Sequence, residues 1–321
     1  MSIPRVRFAH LPTPIEAMPR LSNLLAGPRL FVKRDDQTGL GMGGNKARKL
    51  EFVLGEALVA GARTLITVGG IQSNHCRQTA ALAAKFGFKC ILVLSGTEPE
   101  TPNGNLLLDN LFGALVVWTS REKREATLEL VFQQSQENGE MPFLIPLGAS
   151  TPVGTLGYVE AMRELQSQHS HFDWIILASS SGGTHAGLVL GAAITVWKGK
   201  ILAISIDHTV DELQNTVAYL ANQAAIILEE KVTIMPQEVM VNADYIGAGY
   251  AIAGGPELEA IRLFAENEGL LLDPVYTGRA AAGMIDLIRK GIFKKSEKIL
   301  FWHTGGAPAL FAQPYVEQIR A

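Results

Sequence analysis

Cysteine is nearly absent from this 321-residue chain. Cys76 and Cys90 are the only two, with no C-x-x-C spacing and no pair of histidines beside them. Neither a disulfide framework nor a zinc site is indicated, and no metal is expected. Cys90 lies in the strand-like run Lys89-Cys90-Ile91-Leu92-Val93-Leu94, where it reads as buried filler rather than reagent. A surplus of charge is also missing. With 28 basic and 31 acidic side chains the formal net charge is −3, so nothing collects nucleic acid and no polybasic tract holds a membrane surface. Gly, Thr, Ser or a charge interrupts every apolar run well short of a bilayer-spanning length. Residues 1–20 alternate Pro, Arg and apolar side chains without a continuous stretch of the secretory kind, and a cytoplasmic protein is expected.

What is present is alternation. Runs at residues 65–68, 90–94, 115–118, 143–146, 174–178, 201–204 and 299–303 are mostly apolar on consecutive positions, as in strands covered on both faces. Helical patterns separate them at 49–60, 75–86, 103–112, 122–137, 155–168, 184–197, 210–230 and 257–268. The prediction is an α/β fold with open, mostly parallel sheets and helices on both faces. Gly148-Ala149-Ser150-Thr151-Pro152-Val153-Gly154 suggests a domain boundary. The expected division is a large domain of residues 1–50 and 156–321 and a small one of residues 51–155. A ligand cleft would lie between them, at the carboxyl ends of the strands. The apolar stretch Val217–Leu228 suits a core or a subunit interface equally.

The richest stretch is Gly43-Gly44-Asn45-Lys46-Ala47-Arg48-Lys49-Leu50, a glycine pair running into a helix that opens with three cations. Helices ordinarily carry acids in this turn, because its free N–H groups are partly positive. Cations there raise the potential and invite a phosphate or carboxylate. Lys46 has little bulk before it, so its amine can reach a cleft where desolvation and cationic neighbours lower its pKa. Schiff-base chemistry near neutral pH needs such an amine. The plain alternative is a glycine turn before a solvated basic helix.

Four loops beside strands or helix starts add to this. Gly69-Gly70-Ile71-Gln72-Ser73-Asn74-His75 places three polar side chains at a helix start, more than capping needs. Ser179-Ser180-Ser181-Gly182-Gly183-Thr184-His185-Ala186-Gly187 aims backbone N–H groups at one point and adds the Thr184 hydroxyl, an anion cup that suits a monophosphate. It lacks the Lys-Ser/Thr pair of an ATP-binding loop and the spacing of a dinucleotide site. The others are Asp273-Pro274-Val275-Tyr276-Thr277-Gly278-Arg279 and His303-Thr304-Gly305-Gly306-Ala307-Pro308, and Tyr250 is held among glycines in Gly247-Ala248-Gly249-Tyr250. Each has an ordinary turn reading when taken alone.

Taken in order, Gly-Gly-Asn-Lys-x-Arg-Lys-Leu-Glu, Gln-Ser-Asn-His-x-Arg-Gln-Thr-Ala-Ala, Ser-Gly-Gly-Thr-His-Ala-Gly, Asp-Pro-Val-Tyr-Thr-Gly and His-Thr-Gly-Gly-Ala-Pro-Ala-Leu-Phe carry a resemblance. The chain resembles the pyridoxal 5′-phosphate (PLP) enzymes of the 1-aminocyclopropane-1-carboxylate (ACC) deaminase and D-cysteine desulfhydrase family. That family has the tryptophan synthase β-like fold, fold type II. The resemblance runs from Leu11-Pro12-Thr13-Pro14 to near the C-terminus. It implies two three-layer αβα domains, a homodimer and a small amino-acid substrate. It implies that Lys46 joins the cofactor covalently and that Asn74 bonds the ring's phenolic oxygen. The backbone of Ser181, Gly182, Gly183, Thr184 and His185, with the Thr184 hydroxyl and the charge of Lys49, would hold the phosphate. Thr277 would sit at the pyridine nitrogen. Ser73 would meet the substrate carboxylate or move protons, with Asn74 and His75 beside it. Tyr250 and Tyr276 would flank the substrate, Tyr276 as the proton carrier next to Lys46.

In the family's ring-opening deaminases a glutamate follows this tyrosine and keeps the pyridine nitrogen protonated; here the residue is Thr277. A hydroxyl makes a weaker electron sink. β-Elimination tolerates that, because the leaving group departs with the electrons. The expected reaction is elimination of D-cysteine to pyruvate, ammonia and hydrogen sulfide, the D configuration resting on the resemblance alone. Within the family the alternatives are an L-cysteate sulfo-lyase, with Arg77 or His75 available to the sulfonate, and an ACC deaminase. Outside it stands a nucleotide-binding module without covalent chemistry.

Overall fold

The computed structural model describes residues 3–168 and 171–320. The chain opens with β1 (Ile15–Ala17), α1 (Pro19–Leu25), β2 (Arg29–Lys33) and α2 (Lys46–Val59). A compact run follows: β3 (Thr64–Gly70), α3 (Asn74–Phe86), β4 (Lys89–Ser95), α4 (Gly104–Leu111), β5 (Leu115–Thr119), α5 (Arg124–Glu137) and β6 (Pro142–Ile145). Next come α6 (Pro152–Ser167), β7 (Trp174–Ser179), α7 (Gly183–Ile194), β8 (Lys200–Ser205), α8 (Val210–Ile227) and β9 (Met240–Asn242). The chain finishes with α9 (Gly255–Glu268), α10 (Thr277–Arg289), β10 (Lys298–Trp302) and α11 (Tyr315–Arg320).

The strands form two sheets, one in the order β1-β2-β10-β7-β8-β9 and one in the order β5-β4-β3-β6. Every pairing is parallel except β1 with β2. Parallel strands need helical crossovers, which cover both faces and bury the strands throughout. Accordingly all six residues of β7 and the first six of β3 are buried. The seven expected strands are β3 to β8 and β10, and the eight expected helices are α2 to α9. The expected domain boundary at residue 50 falls inside α2, which runs unbroken from Lys46 to Val59. α6 lies close against its first turn: a Cβ added to Gly157 would come within 2.3 Å of Arg48 O. In α8, Val217, Ala218, Leu220, Ala221, Ala224 and Ala225 are core, while Tyr219 and Ile226 face outward. No helix among the described residues is long and apolar enough to cross a membrane.

Candidate active site

Both sheets point the carboxyl ends of their parallel strands at one cleft of about 870 Å³. Lys46 enters it from the start of α2, and the turn before it is tied to the larger sheet. Gly44 N donates to Asp35 O, and Asn45 N donates to Thr304 O. The three cations of this turn then part company. Arg48 turns inward, its Nε donating to Asp35 Oδ2 at 2.9 Å, Nη2 to Asp35 Oδ1 at 2.8 Å and Nη1 to Glu164 Oε2 at 2.9 Å. Asp35 is wholly buried and also accepts from Tyr158 Oη at 2.6 Å and Trp302 Nε1 at 2.8 Å. Burial works against its charge, but Arg48, Lys33 and Trp302 outweigh burial and hold it down to about 2. Arg48 is thus spent on the protein's own carboxylates and is not free for a ligand.

Lys49 is buried too, with Nζ donating to Ser150 Oγ at 3.1 Å. Burial, and then the charge of Lys46, push it well below the ordinary lysine value. Of the three cations Lys46 alone lines the cleft. Burial lowers its amine to about 8, with the Asp273 carboxylate pulling the other way. Such an amine is neutral for an appreciable fraction of the time near neutral pH, as a nucleophile requires.

The anion cup forms where β7 feeds α7. Ser181, Gly182 and Thr184 line the cleft. The amides of Thr184 and His185 lie in the first turn of α7, where a helix offers no acceptor of its own. Gly183 has no room for a side chain, since a Cβ would sit 2.6 Å from Ser150 Oγ and 3.0 Å from Ser150 Cα. Ser150 Oγ links the cup together: it accepts from Gly183 N at 3.2 Å and from Lys49 Nζ, and it shares a 2.8 Å hydrogen bond with Ser181 Oγ. The His185 ring is wholly buried outside the cleft wall, and burial drops its pKa to about 3. It is neutral, and only its backbone belongs to the cup.

Facing the cup is the turn from β3 into α3. Ser73 caps α3, its Oγ accepting from Cys76 N at 3.2 Å, which leaves its own O–H to donate into the cleft. Asn105 Nδ2 donates to Asn74 Oδ1 at 2.9 Å and to Gln72 O at 2.8 Å. With its oxygen taken, Asn74 has its amide N–H groups left to offer. His75 Nε2 lies 2.8 Å from Thr67 Oγ1, whose proton goes to Ile145 O at 2.7 Å, so Nε2 is the donor. Burial, then the charges of Lys46 and Lys49, push its pKa well down, so the ring is neutral.

The last wall carries two phenols. Tyr250 Oη and Tyr276 Oη share a 2.7 Å hydrogen bond, and burial raises both above the usual tyrosine value, Tyr276 the further. Arg279 anchors the Tyr250 loop through Gly249 O, Ile252 O and Ile206 O, its Nε held by Glu257 at 2.8 Å.

Thr277 is placed differently from its expected position at a ring nitrogen. It is buried and does not line the cleft. Its hydroxyl donates to Asp273 Oδ1 and accepts from Asp273 N, both at 2.7 Å, which uses most of its capacity. Thr304, just beyond β10, does line the cleft. Arg77 is withdrawn as well, buried with Nη2 on Gly43 O at 2.8 Å. Ser150, Asp273 and Thr304 lie in loops that the sequence marks, but nothing in the sequence gives those residues a task. Asn105 carried no local signal, because its role exists only once α4 packs beside α3.

A family model for pyridoxal-phosphate dependent enzymes matches residues 6–305 of the chain. The chain belongs to that family. It is similar over 99% of its length to a crystal structure of an ACC deaminase homologue, with 39% identity, a TM-score of 0.90 and 96% of that chain covered. More distant likenesses show the fold alone. A fungal L-serine ammonia-lyase from Rhizomucor miehei has 18% identity and a TM-score of 0.68, with 98% of this chain and 99% of that one covered. A threonine deaminase isoform from Solanum lycopersicum has 16% identity and a TM-score of 0.67, with 96% and 82% covered. The fold is the tryptophan synthase β-like arrangement, fold type II, and the cofactor is PLP.

The residues fit that cofactor. Lys46 offers an accessible amine of lowered pKa to an aldehyde, and the cup offers unpaired amides with Ser181 and Thr184 hydroxyls to a phosphate. Asn74 has N–H groups to spare for a phenolic oxygen, and the buried Ser179 Oγ lacks a protein partner while lining the same cleft. Lys49, held beside the cup by Ser150, has its amine where a bound phosphate would favour the charged form.

Proposed function

We propose that this PLP enzyme catalyses the α,β-elimination of a small β-substituted amino acid, D-cysteine foremost, with release of pyruvate, ammonia and hydrogen sulfide. What carries the reading is that position 277 offers the cleft no carboxylate: the family's ring-opening deaminases place a glutamate there, and here a threonine is tied to Asp273 off the cleft wall. Because Thr277 is bonded to Asp273, we assign the place beside the ring nitrogen to Thr304; either way the group is a hydroxyl. Bound here, PLP supplies an electron sink for the charge left at the substrate α-carbon, a sink that a hydroxyl at the nitrogen leaves weak. Elimination suits a weak sink, since sulfur departs with its electron pair.

The chain's own groups divide the rest. Ser73 and Asn74 take the substrate carboxylate and so decide which α-carbon bond is held for cleavage. Lys46 Nζ can hold the α-proton, and the Tyr250–Tyr276 pair can pass one to the leaving sulfur. A sulfonate substrate loses one of its two candidate partners, because Arg77 is buried away from the cleft. The D configuration and the homodimer rest on the family resemblance.

The test compares the PLP-loaded enzyme on D-cysteine, L-cysteine and L-cysteate by pyruvate release, and on ACC by 2-oxobutanoate release. A kcat/KM for D-cysteine at least about tenfold above the others is expected, a margin within what pocket contacts deliver. Preference for ACC would replace elimination with ring opening.

A further inference from the structure

The order of strands in the smaller sheet, β5-β4-β3-β6, lays out the cleft as a line. At the β6 end Leu147 and Gly148 adjoin the anion cup through Ser150 and Ser181. One strand on, β3 delivers Ser73 and Asn74 opposite Lys46. The cleft does not stop there. It continues past the end of β4, lined by Ser95, Gly96, Thr97 and Glu98, and past β5, lined by Trp118, Ser120, Arg121 and Arg124. Two strand spacings separate β3 from β5, roughly 10 Å. The whole volume, about 870 Å³, lies near the top of the range of roughly 300 to 1,000 Å³ for small-molecule sites. PLP with a cysteine occupies only the inner part.

The outer part carries charge of both signs. Arg121 is exposed and makes no ion pair among the described residues. Arg124 gives its Nε to the exposed Glu125, and among the described residues neither Nη group has a hydrogen-bond partner. Glu98 is exposed in the loop that follows β4. Ser95 lines the same passage, and its Oγ atom is buried without a hydrogen-bond partner among the described residues. Arg121 and Arg124 follow β5, two strands from the Ser73–Asn74 turn, a span that a long leaving group crosses. An end group borne on an extended leaving thiol would reach them.

We propose that the Glu98, Arg121 and Arg124 rim is a binding subsite for a zwitterionic amino-acid end carried by the leaving thiol. The substrate class is then β-thioethers of cysteine in which sulfur joins two amino acids. Arg121 and Arg124 take the distal carboxylate and Glu98 takes the distal ammonium. The inference rests on the elimination reading. The Cα–H and Cβ–S bonds break, and the sulfur keeps the bonding pair and gains a proton. One water is consumed, giving a free thiol amino acid, pyruvate and ammonium, with no oxidant or reductant.

Three thioethers test it, each in both configurations: cystathionine, S-carboxypropylcysteine, which lacks the distal ammonium, and S-butylcysteine, which has no tail charge. Pyruvate release by the PLP-loaded enzyme should give cystathionine a kcat/KM about tenfold above S-butylcysteine, as charge-assisted contacts supply. The Arg121→Ala/Arg124→Ala variant should bring that ratio towards one, and Glu98→Gln should erase the margin over S-carboxypropylcysteine. Equal rates on all three thioethers, or a ratio the variants do not move, would overturn the subsite. If no thioether and no D-cysteine yields pyruvate, the elimination reading fails by itself. Calorimetric titration of the Lys46→Ala protein with cystathionine still reads the rim: binding weakened by the double arginine substitution supports it, and unchanged binding overturns it.

Discussion

At the scale of single residues, one amine dominates the chemistry. Lys46 sits at about 8 because burial penalises its charge more than Asp273 favours it. Since the folded value is depressed, the neutral form predominates only above about pH 8, and reactivity rises through that point. Acylation of Lys46 in the cofactor-free protein, followed by peptide mass analysis across pH, should therefore show a midpoint near 8, against about 10.4 for ordinary lysines. A midpoint at the ordinary value would remove the activated amine. Asn105 makes a second case. Its hydrogen bond fixes which way the Asn74 amide points, and one such bond is worth about 1 kcal/mol. Asn105→Ala should raise the PLP dissociation constant by about three- to tenfold, read by equilibrium binding to apoprotein. An unchanged constant would mean Asn74 is oriented without it.

At the scale of elements, the cup at the head of α7 depends on a close approach. Gly183→Ala would drive a methyl group into Ser150, whose Cα is backbone and cannot swing aside. PLP affinity should fall at least about tenfold, with a loss of roughly 1 to 3 kcal/mol in stability as the turn is overpacked. Titration of apoprotein with PLP and urea unfolding measure the two effects. The elements themselves were largely legible in the sequence: strands covered on both faces are mostly apolar on consecutive positions, and β3, β4, β7 and β8 announce themselves that way. β1 and β9 have three residues each, too few for any period to register. α10 hides its start in Thr277-Gly278 and continues through Ala280-Ala281-Ala282-Gly283, where small side chains blur apolar against polar. The site was legible as loops, because glycines and capping residues mark where strands hand over to helices. The sharing of work inside the loops was not: whether Thr277 or Thr304 reaches the cleft, and whether Arg48 serves a ligand or Asp35, depends on contacts between distant segments.

At the scale of the whole molecule, the Asp35, Arg48 and Glu164 cluster joins the beginning, the second helix and the middle of the chain. The folded Asp35 carboxyl, at about 2, lies below the ordinary aspartate value of about 3.9. Its contribution is fully present above the unfolded value and is lost as pH falls through the folded one. That depression corresponds to about 2 kcal/mol. The stability gap between wild type and Asp35→Asn in urea should thus narrow by about that amount between pH 5 and pH 2; a gap constant across the range would show that the carboxylate's charge is not what counts. The seat of α2 against α6 has a different consequence. Lys46 reaches the cleft from the larger sheet's side and Ser73 and Asn74 from the smaller sheet's, so a wedge at Gly157 would shift Lys46 against them while leaving each side chain chemically intact. Speed in such an enzyme can be dialled from the back of the vice, by changes no inspection of its teeth would reveal.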